Sequence, residues 1–169
     1  AVSCFDRALK IDRSYAPAWT GKGSSRAAAG QHPEALVCFD HALEADRHYA
    51  PAWTGKGVSQ AALGRYSEAL RLHERAVNLN PWSVVARVNR GIVLAQMGQA
   101  EKALWCYAQA LDIDRGYAPA WYHRAAALVA LGRYPQALEC CEQALALDED
   151  CVSAWCNRGI ALAGLQQVY

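Results

Sequence analysis

Apolar positions along this chain keep helical spacing in short stretches that end at glycine or at polar turn residues. In PEALVCFDHALEA, residues 33–45, Leu36, Phe39 and Leu43 fall three and four apart, which places them on one face of an α-helix. The stretch before it opens with APAWTGKGSS at 16–25; Pro17 stands in its first turn, where a missing N–H costs little, and Gly30 suits a left-handed stop. The pattern predicts a helix, a turn and a second helix. The same pair recurs with Pro51 and Pro119 at helix starts and with Gly64, Gly98 and Gly132 at stops. Alanines return in the second helices at 35, 69, 103 and 137, and again at 42, 76, 110 and 144. Tyr15, Tyr49 and Tyr117 each precede Ala-Pro-Ala-Trp, at steps of 34 and twice 34 residues.

A period of 34 divides the chain into four complete units, 16–49, 50–83, 84–117 and 118–151. Residues 1–15 read as a second helix without its mate, and residues 152–169 as a first helix without its mate. Within the first helices Gly23, Gly57, Gly91, Ala125 and Gly159 share one register. A mid-helix glycine costs roughly 1 kcal/mol against alanine, so its return at one position implies a close helix approach. The GKGSS of 21–25 is therefore a packing device. A phosphate-binding loop needs G-x-x-x-x-G-K-[ST] after a buried strand, whereas here Gly23 follows Lys22 and Ala16 stands where the first glycine belongs.

The recurring pattern W-x3-G-x6-G-x-Y-x2-A-x3-[FY]-x2-A resembles the tetratricopeptide repeat. In unit 50–83 it matches Trp53, Gly57, Gly64, Tyr66, Ala69 and Ala76, with His73 where an aromatic is usual. In unit 118–151 it matches Trp121, Ala125, Gly132, Tyr134, Ala137 and Ala144. The resemblance covers the whole chain and implies an all-α fold, a right-handed superhelical solenoid of tandem 34-residue helix–turn–helix units. Three features depart from the family pattern. Lys22, Lys56, Arg90, Arg124 and Arg158 replace a leucine before the small residue; the inter-repeat proline survives only as Pro81; and unit 84–117 has Arg87 for tryptophan and Ala100 for tyrosine.

Composition narrows the possible partners. The chain has 169 residues and a net charge of +1, so no broad field favours nucleic acid or an anionic membrane. No run of 18 apolar residues could span a bilayer. Seven cysteines include no C-x-x-C pair, and Cys4, Cys38, Cys106 and Cys140 share one repeat register with Leu72. They read as small, buried, reduced side chains, which suggests a cytoplasmic protein and no metal site. His32, His41, His48, His73 and His123 are scattered over the units without a nucleophile–base constellation, so the chain reads as no enzyme and as needing no cofactor. Its alternative link to catalysis is as a substrate-recruiting segment of a larger enzyme.

The resemblance implies that first helices line a concave groove holding an extended peptide or a helix of a partner protein. Carried over by position, the groove presents Thr20, Ser24, Ala27, Thr54, Val58 and Ala61, then Val88, Asn89 and Ile92. Farther on come Tyr122, His123, Ala126 and Val129, then Cys156, Asn157 and Ile160. Gly21 and Gly55 are expected to face inward and leave room for a large ligand side chain. No residue in this set is acidic, Lys or Arg, which favours an apolar ligand over an acidic chaperone tail; of the positions resembling a carboxylate clamp, Thr20, Ser24, Gly55, Val85 and Asn89, only Asn89 has a suitable type. Two further surfaces enter as expectations. The cationic column packs its stems and pairs with acids such as Asp40 or Glu74, an anion-binding stripe being the alternative. Apolar residues near the chain ends, Phe5, Leu9, Trp155 and Leu162, suit head-to-tail stacking into a homo-oligomer.

Overall fold

The computed structural model describes residues 2–166, which form ten α-helices and no strand. In chain order they are α1 (Val2–Ile11), α2 (Ala16–Ala28), α3 (His32–Ala45), α4 (Ala50–Ala62) and α5 (Tyr66–Leu79), then α6 (Val84–Gln96), α7 (Ala100–Ile113), α8 (Ala118–Ala130), α9 (Tyr134–Leu147) and α10 (Val152–Gln166). The fold is all-α, built of tandem helix–turn–helix repeats. The chain divides into two compact units, residues 1–89 and 90–169. In the first, α2 packs on α1, α3 and α4, and α5 packs on α4; in the second, α8 packs on α7, α9 and α10, and α9 packs on α10.

Two kinds of turn alternate. Within a repeat, Gly30, Gly64, Gly98 and Gly132 take φ of 76°, 75°, 74° and 70°, the left-handed region that a Cβ disfavours. At the first of these, the Gly30 N–H donates to Ala27 O at 2.9 Å and the Gln31 N–H to Arg26 O at 3.0 Å, closing the last helical turn. Between repeats, an Asp or Asn side chain orders the backbone. The Oδ1 atoms of Asp12, Asp46, Asn80, Asp114 and Asp148 accept the N–H two residues on, at 2.8, 2.8, 3.1, 2.8 and 3.2 Å. The next helix then locks onto that turn. Trp19, Trp53, Trp121 and Trp155 each donate the indole N–H to the carbonyl six residues back, at 2.8–2.9 Å. Arg87, the one replacement of tryptophan, makes the same bond from its guanidinium, Nη2 to Pro81 O at 2.8 Å.

Gly23, Gly57 and Gly91 of the first helices are sockets for aromatic rings, whereas nothing stands within 4 Å of a Cβ placed at Gly159 of the same column. A Cβ at Gly23 would stand 2.8 Å from the Phe39 ring, and one at Gly57 would stand 2.6 Å from the His73 ring. Gly91 makes the same room for Tyr107. On the other side of Phe39, a Cβ at Gly55 would collide with the ring, and Phe5 stands likewise against Gly21. The room at Gly21 and Gly55 is therefore filled by the protein's own phenylalanines and is not available to a ligand side chain. Around these rings the recurring alanines, among them Ala35, Ala42, Ala69, Ala76, Ala103, Ala110, Ala137 and Ala144, are fully buried. All seven cysteines are free; five are buried, but Cys4 and Cys156 are exposed. Cys4 departs from the expected burial because, among the described residues, α1 packs only on α2, whereas α3, which carries Cys38, lies between α2 and α4.

Candidate functional site

The first unit contains a concavity of about 610 Å³ formed by α2, α4, the start of α6 and the turn at 80–83. Thr20, Ser24 and Ala27 reach it from α2, Thr54 and Val58 from α4, and Asn89 from α6, so six residues expected from the repeat register meet there. The remaining lining is Ala28, His32, Phe39, Ala50, Pro51, Gly55, Asn80, Ser83 and Val85. Among the described residues, none that lines it is Asp, Glu, Lys or Arg. Its walls are methyl, methylene and ring surface, with hydroxyls, two asparagine amides and an imidazole interspersed. The Thr54 hydroxyl donates to Ala50 O at 3.2 Å, whereas Thr20 Oγ1 and His32 Nδ1 are closed off without a protein partner.

Two expected groove residues of this unit lie elsewhere. Val88 is 3% exposed and belongs to the core, because Val85 and Asn89 occupy the part of α6 that turns toward the concavity. Ala61 is half-buried on α4 and outside the lining.

In the second unit, Ile92, Tyr122, His123, Val129 and Asn157 are half-buried, and Ala126, Cys156 and Ile160 are exposed. Four of the aromatic and polar groups form one cluster. The His123 ring stacks on Tyr107 at 6.0 Å between centroids and tilts against Tyr122 at 4.6 Å, while Asn157 Nδ2 donates to Tyr122 O at 3.0 Å. Burial pushes the His123 pKa below its ordinary value. Position 123 corresponds to Gly21 and Gly55, so here a ring faces a ring where the first unit sets glycine against phenylalanine.

The cationic column is engaged within the protein. Lys22 Nζ lies 2.7 Å from the Asp6 carboxylate and Lys56 Nζ 2.6 Å from that of Asp40. The bond to Lys22 holds the Asp6 carboxyl below its usual range. Arg90, Arg124 and Arg158 place their guanidinium groups over the rings of Trp105, Trp121 and Trp155, at 5.9, 5.9 and 5.2 Å. Near the chain ends Trp155 and Leu162 are exposed on α10 and Phe5 is half-buried. Leu9, in contrast, is buried on the inner side of α1 and offers nothing to a neighbouring molecule.

Family comparisons agree with the repeat architecture. Tetratricopeptide-repeat models match residues 20–81, 84–117 and 118–151, which is most of the chain. The protein belongs to the tetratricopeptide-repeat family, a class of protein–protein interaction modules and scaffolds. No curated protein matches the chain. Among solved structures, TTC0263, a thermophilic TPR protein of Thermus thermophilus, is 21% identical with a TM-score of 0.85, over 96% of this chain and 89% of that one. YrrB, described as a TPR protein with an unusual peptide-binding site, is 22% identical with a TM-score of 0.73, over 98% and 86%. The first TPR of Spaghetti (RPAP3), bound to the HSP90 peptide SRMEEVD, is 23% identical with a TM-score of 0.68, over 72% and 96%. Among the described residues no helix is long and apolar enough to cross a membrane, and no group of three His, Cys, Asp or Glu could hold a metal ion.

Proposed function

We propose that the chain holds a peptide or helix of a partner protein against the first-helix faces, with the concavity of the first unit as its main site. The observation that carries this reading is the meeting of Thr20, Ser24, Ala27, Thr54, Val58 and Asn89 around one uncharged concavity of about 610 Å³. The ligand is apolar and neutral where it enters. A carboxylate placed there would lose its water without meeting a cation, a cost of several kcal/mol, so the acidic peptide bound by the Spaghetti domain is a poor match. In the second unit Ile92, Tyr122, His123, Ala126, Val129, Asn157 and Ile160 are proposed as a separate contact surface of the same kind, and Ala61 lies outside the lining of the first. The test is binding of fluorescein-labelled peptides selected from a random 12-residue display library. Val58→Glu, which puts a charge into the concavity from a half-exposed position, should weaken the selected peptides at least tenfold while circular dichroism stays unchanged. Equal binding by this variant would refute the reading.

A second reading, association between copies, is favoured by the apolar face of α10, where Val152, Trp155 and Leu162 are 73%, 50% and 44% exposed. Sedimentation of the Trp155→Ser, Leu162→Ser variant tests it: an oligomer lost in the variant supports the reading, and an unchanged oligomer removes it.

A further inference from the structure

The turn at 80–83 departs from its counterparts at every position. Elsewhere the turns read Asp12-Arg13-Ser14-Tyr15, Asp46-Arg47-His48-Tyr49, Asp114-Arg115-Gly116-Tyr117 and Asp148-Glu149-Asp150-Cys151; here the residues are Asn80-Pro81-Trp82-Ser83. Every counterpart contains charged residues and 80–83 contains none, the cation at this turn being Arg87, whose guanidinium donates to Pro81 O. Its geometry is nonetheless kept, because Asn80 Oδ1 accepts the Trp82 N–H as the aspartates do in their own turns. The substitutions therefore leave the turn's hydrogen bond in place and alter what it presents.

Two of them act on the concavity. Tyr49, the counterpart of Ser83 one repeat earlier, packs on the core of Ala16, Ala42, Leu43 and Ala52. Ser83 has no such bulk; its Oγ accepts the Ala86 N–H at 3.2 Å, capping α6, and the residue lines the concavity instead of filling it. The aromatic has moved one position back, to Trp82, which is 77% exposed and so does not replace the packing of a tyrosine. An indole left this open stabilises the fold little, whereas tryptophan is among the residues that most often anchor protein contacts. It stands between Asn80 and Ser83, which both line the concavity, and one turn before Val85, an exposed lining residue.

We propose that the 80–83 turn is the recognition element of the first unit, with Ser83 opening the concavity and Trp82 acting as the aromatic anchor at its rim. The partner is an uncharged segment with apolar side chains, since the lining lacks charge and the cation beside the turn, Arg87, is held on Pro81 O. This inference rests on the groove reading above. The test uses one peptide selected from the random 12-residue library, with SRMEEVD as an acidic comparator, and measures affinity by fluorescence anisotropy for wild type, Trp82→Ala, Trp82→Phe, Ser83→Tyr, Val58→Glu and Trp105→Ala. The expected result is a selected peptide without net charge and no measurable binding of SRMEEVD. Trp82→Ala and Ser83→Tyr should weaken the selected peptide at least tenfold, with partial recovery in Trp82→Phe. Trp105→Ala, which removes another exposed tryptophan, should stay within twofold, and the unfolding transition of Trp82→Ala should match wild type. If Trp82→Ala binds within twofold of wild type while Val58→Glu does not bind, the anchor is refuted and the groove survives. If Val58→Glu also binds normally, the groove reading falls with it. Selection of acidic peptides, or a wild-type dimer in sedimentation that Trp82→Ala abolishes, would overturn the uncharged partner, the second result making the occupant another copy of this chain.

Discussion

His73 gives the fold a built-in sensitivity to acid. It fills the aromatic slot that Phe39 and Tyr107 fill in neighbouring repeats, is 1% exposed, and its Nδ1 has no hydrogen-bond partner. Burial lowers its pKa from 6.5 to about 4. As pH falls below 6.5 the unfolded chain takes up the proton first, so unfolding is favoured until the folded protein also protonates near pH 4. Stability contributed by the neutral ring is thus whole above about pH 6.5 and is lost as pH approaches 4. The linkage amounts to a tenfold fall in the folding equilibrium per pH unit, or about 3 kcal/mol across the window. His73→Phe removes the proton site and keeps a ring in the socket over Gly57. Urea denaturation followed by helical circular dichroism, at steps from pH 7.5 to 4.5, should show wild type losing stability faster than the variant. The difference should begin near pH 6.5 and reach about 2–3 kcal/mol at the acid end. Carboxylates titrate in both proteins and cancel in the comparison. Parallel profiles would refute the reasoning.

Other substitutions separate sockets from open positions. Gly55→Ala should destabilise by about 1–3 kcal/mol, because the new methyl collides with Phe39, while Gly159→Ala, with nothing within 4 Å of its Cβ, should stabilise by up to about 1 kcal/mol in thermal unfolding. Arg87→Trp should be nearly neutral and Arg87→Ala should cost about 1–2 kcal/mol, since the side chain serves as the donor to Pro81 O that tryptophan provides in other repeats. Thiol labelling of the folded protein should modify Cys4 and Cys156 quickly and Cys141 only on unfolding, its thiol being buried with a pKa pushed up to about 11.

Much of the fold was legible because each repeat restates the same packing problem. The stop glycines, the helix-starting prolines and the small residues of the first helices all recur at 34-residue steps, and each has a direct physical reading. The column Asp12, Asp46, Asn80, Asp114, Asp148 carried an equally plain signal for the inter-repeat turn that the repeat pattern alone did not single out. Side-chain exchange was harder to read. Arg87 looks like a defect until its guanidinium is seen on the carbonyl that an indole would use. Gly55 looks like room for a ligand, yet Phe39 from the preceding helix takes that room. Val88 shares the register of Thr20 and Thr54 but is 3% exposed, and α6 meets the concavity through Val85 and Asn89, at the register of Pro51 and Gly55. Trp82 belongs to no column, its counterparts being Ser14, His48, Gly116 and Asp150, so the repeat pattern carries no signal for it.

Hydrogen–deuterium exchange with and without a selected peptide tests the central claim most directly. Saturation should slow exchange in Thr20–Ala28, Thr54–Val58 and the turn through Asn89, the segments that line the concavity. Protection confined to the second helices α3 and α5, or to α10, would contradict it.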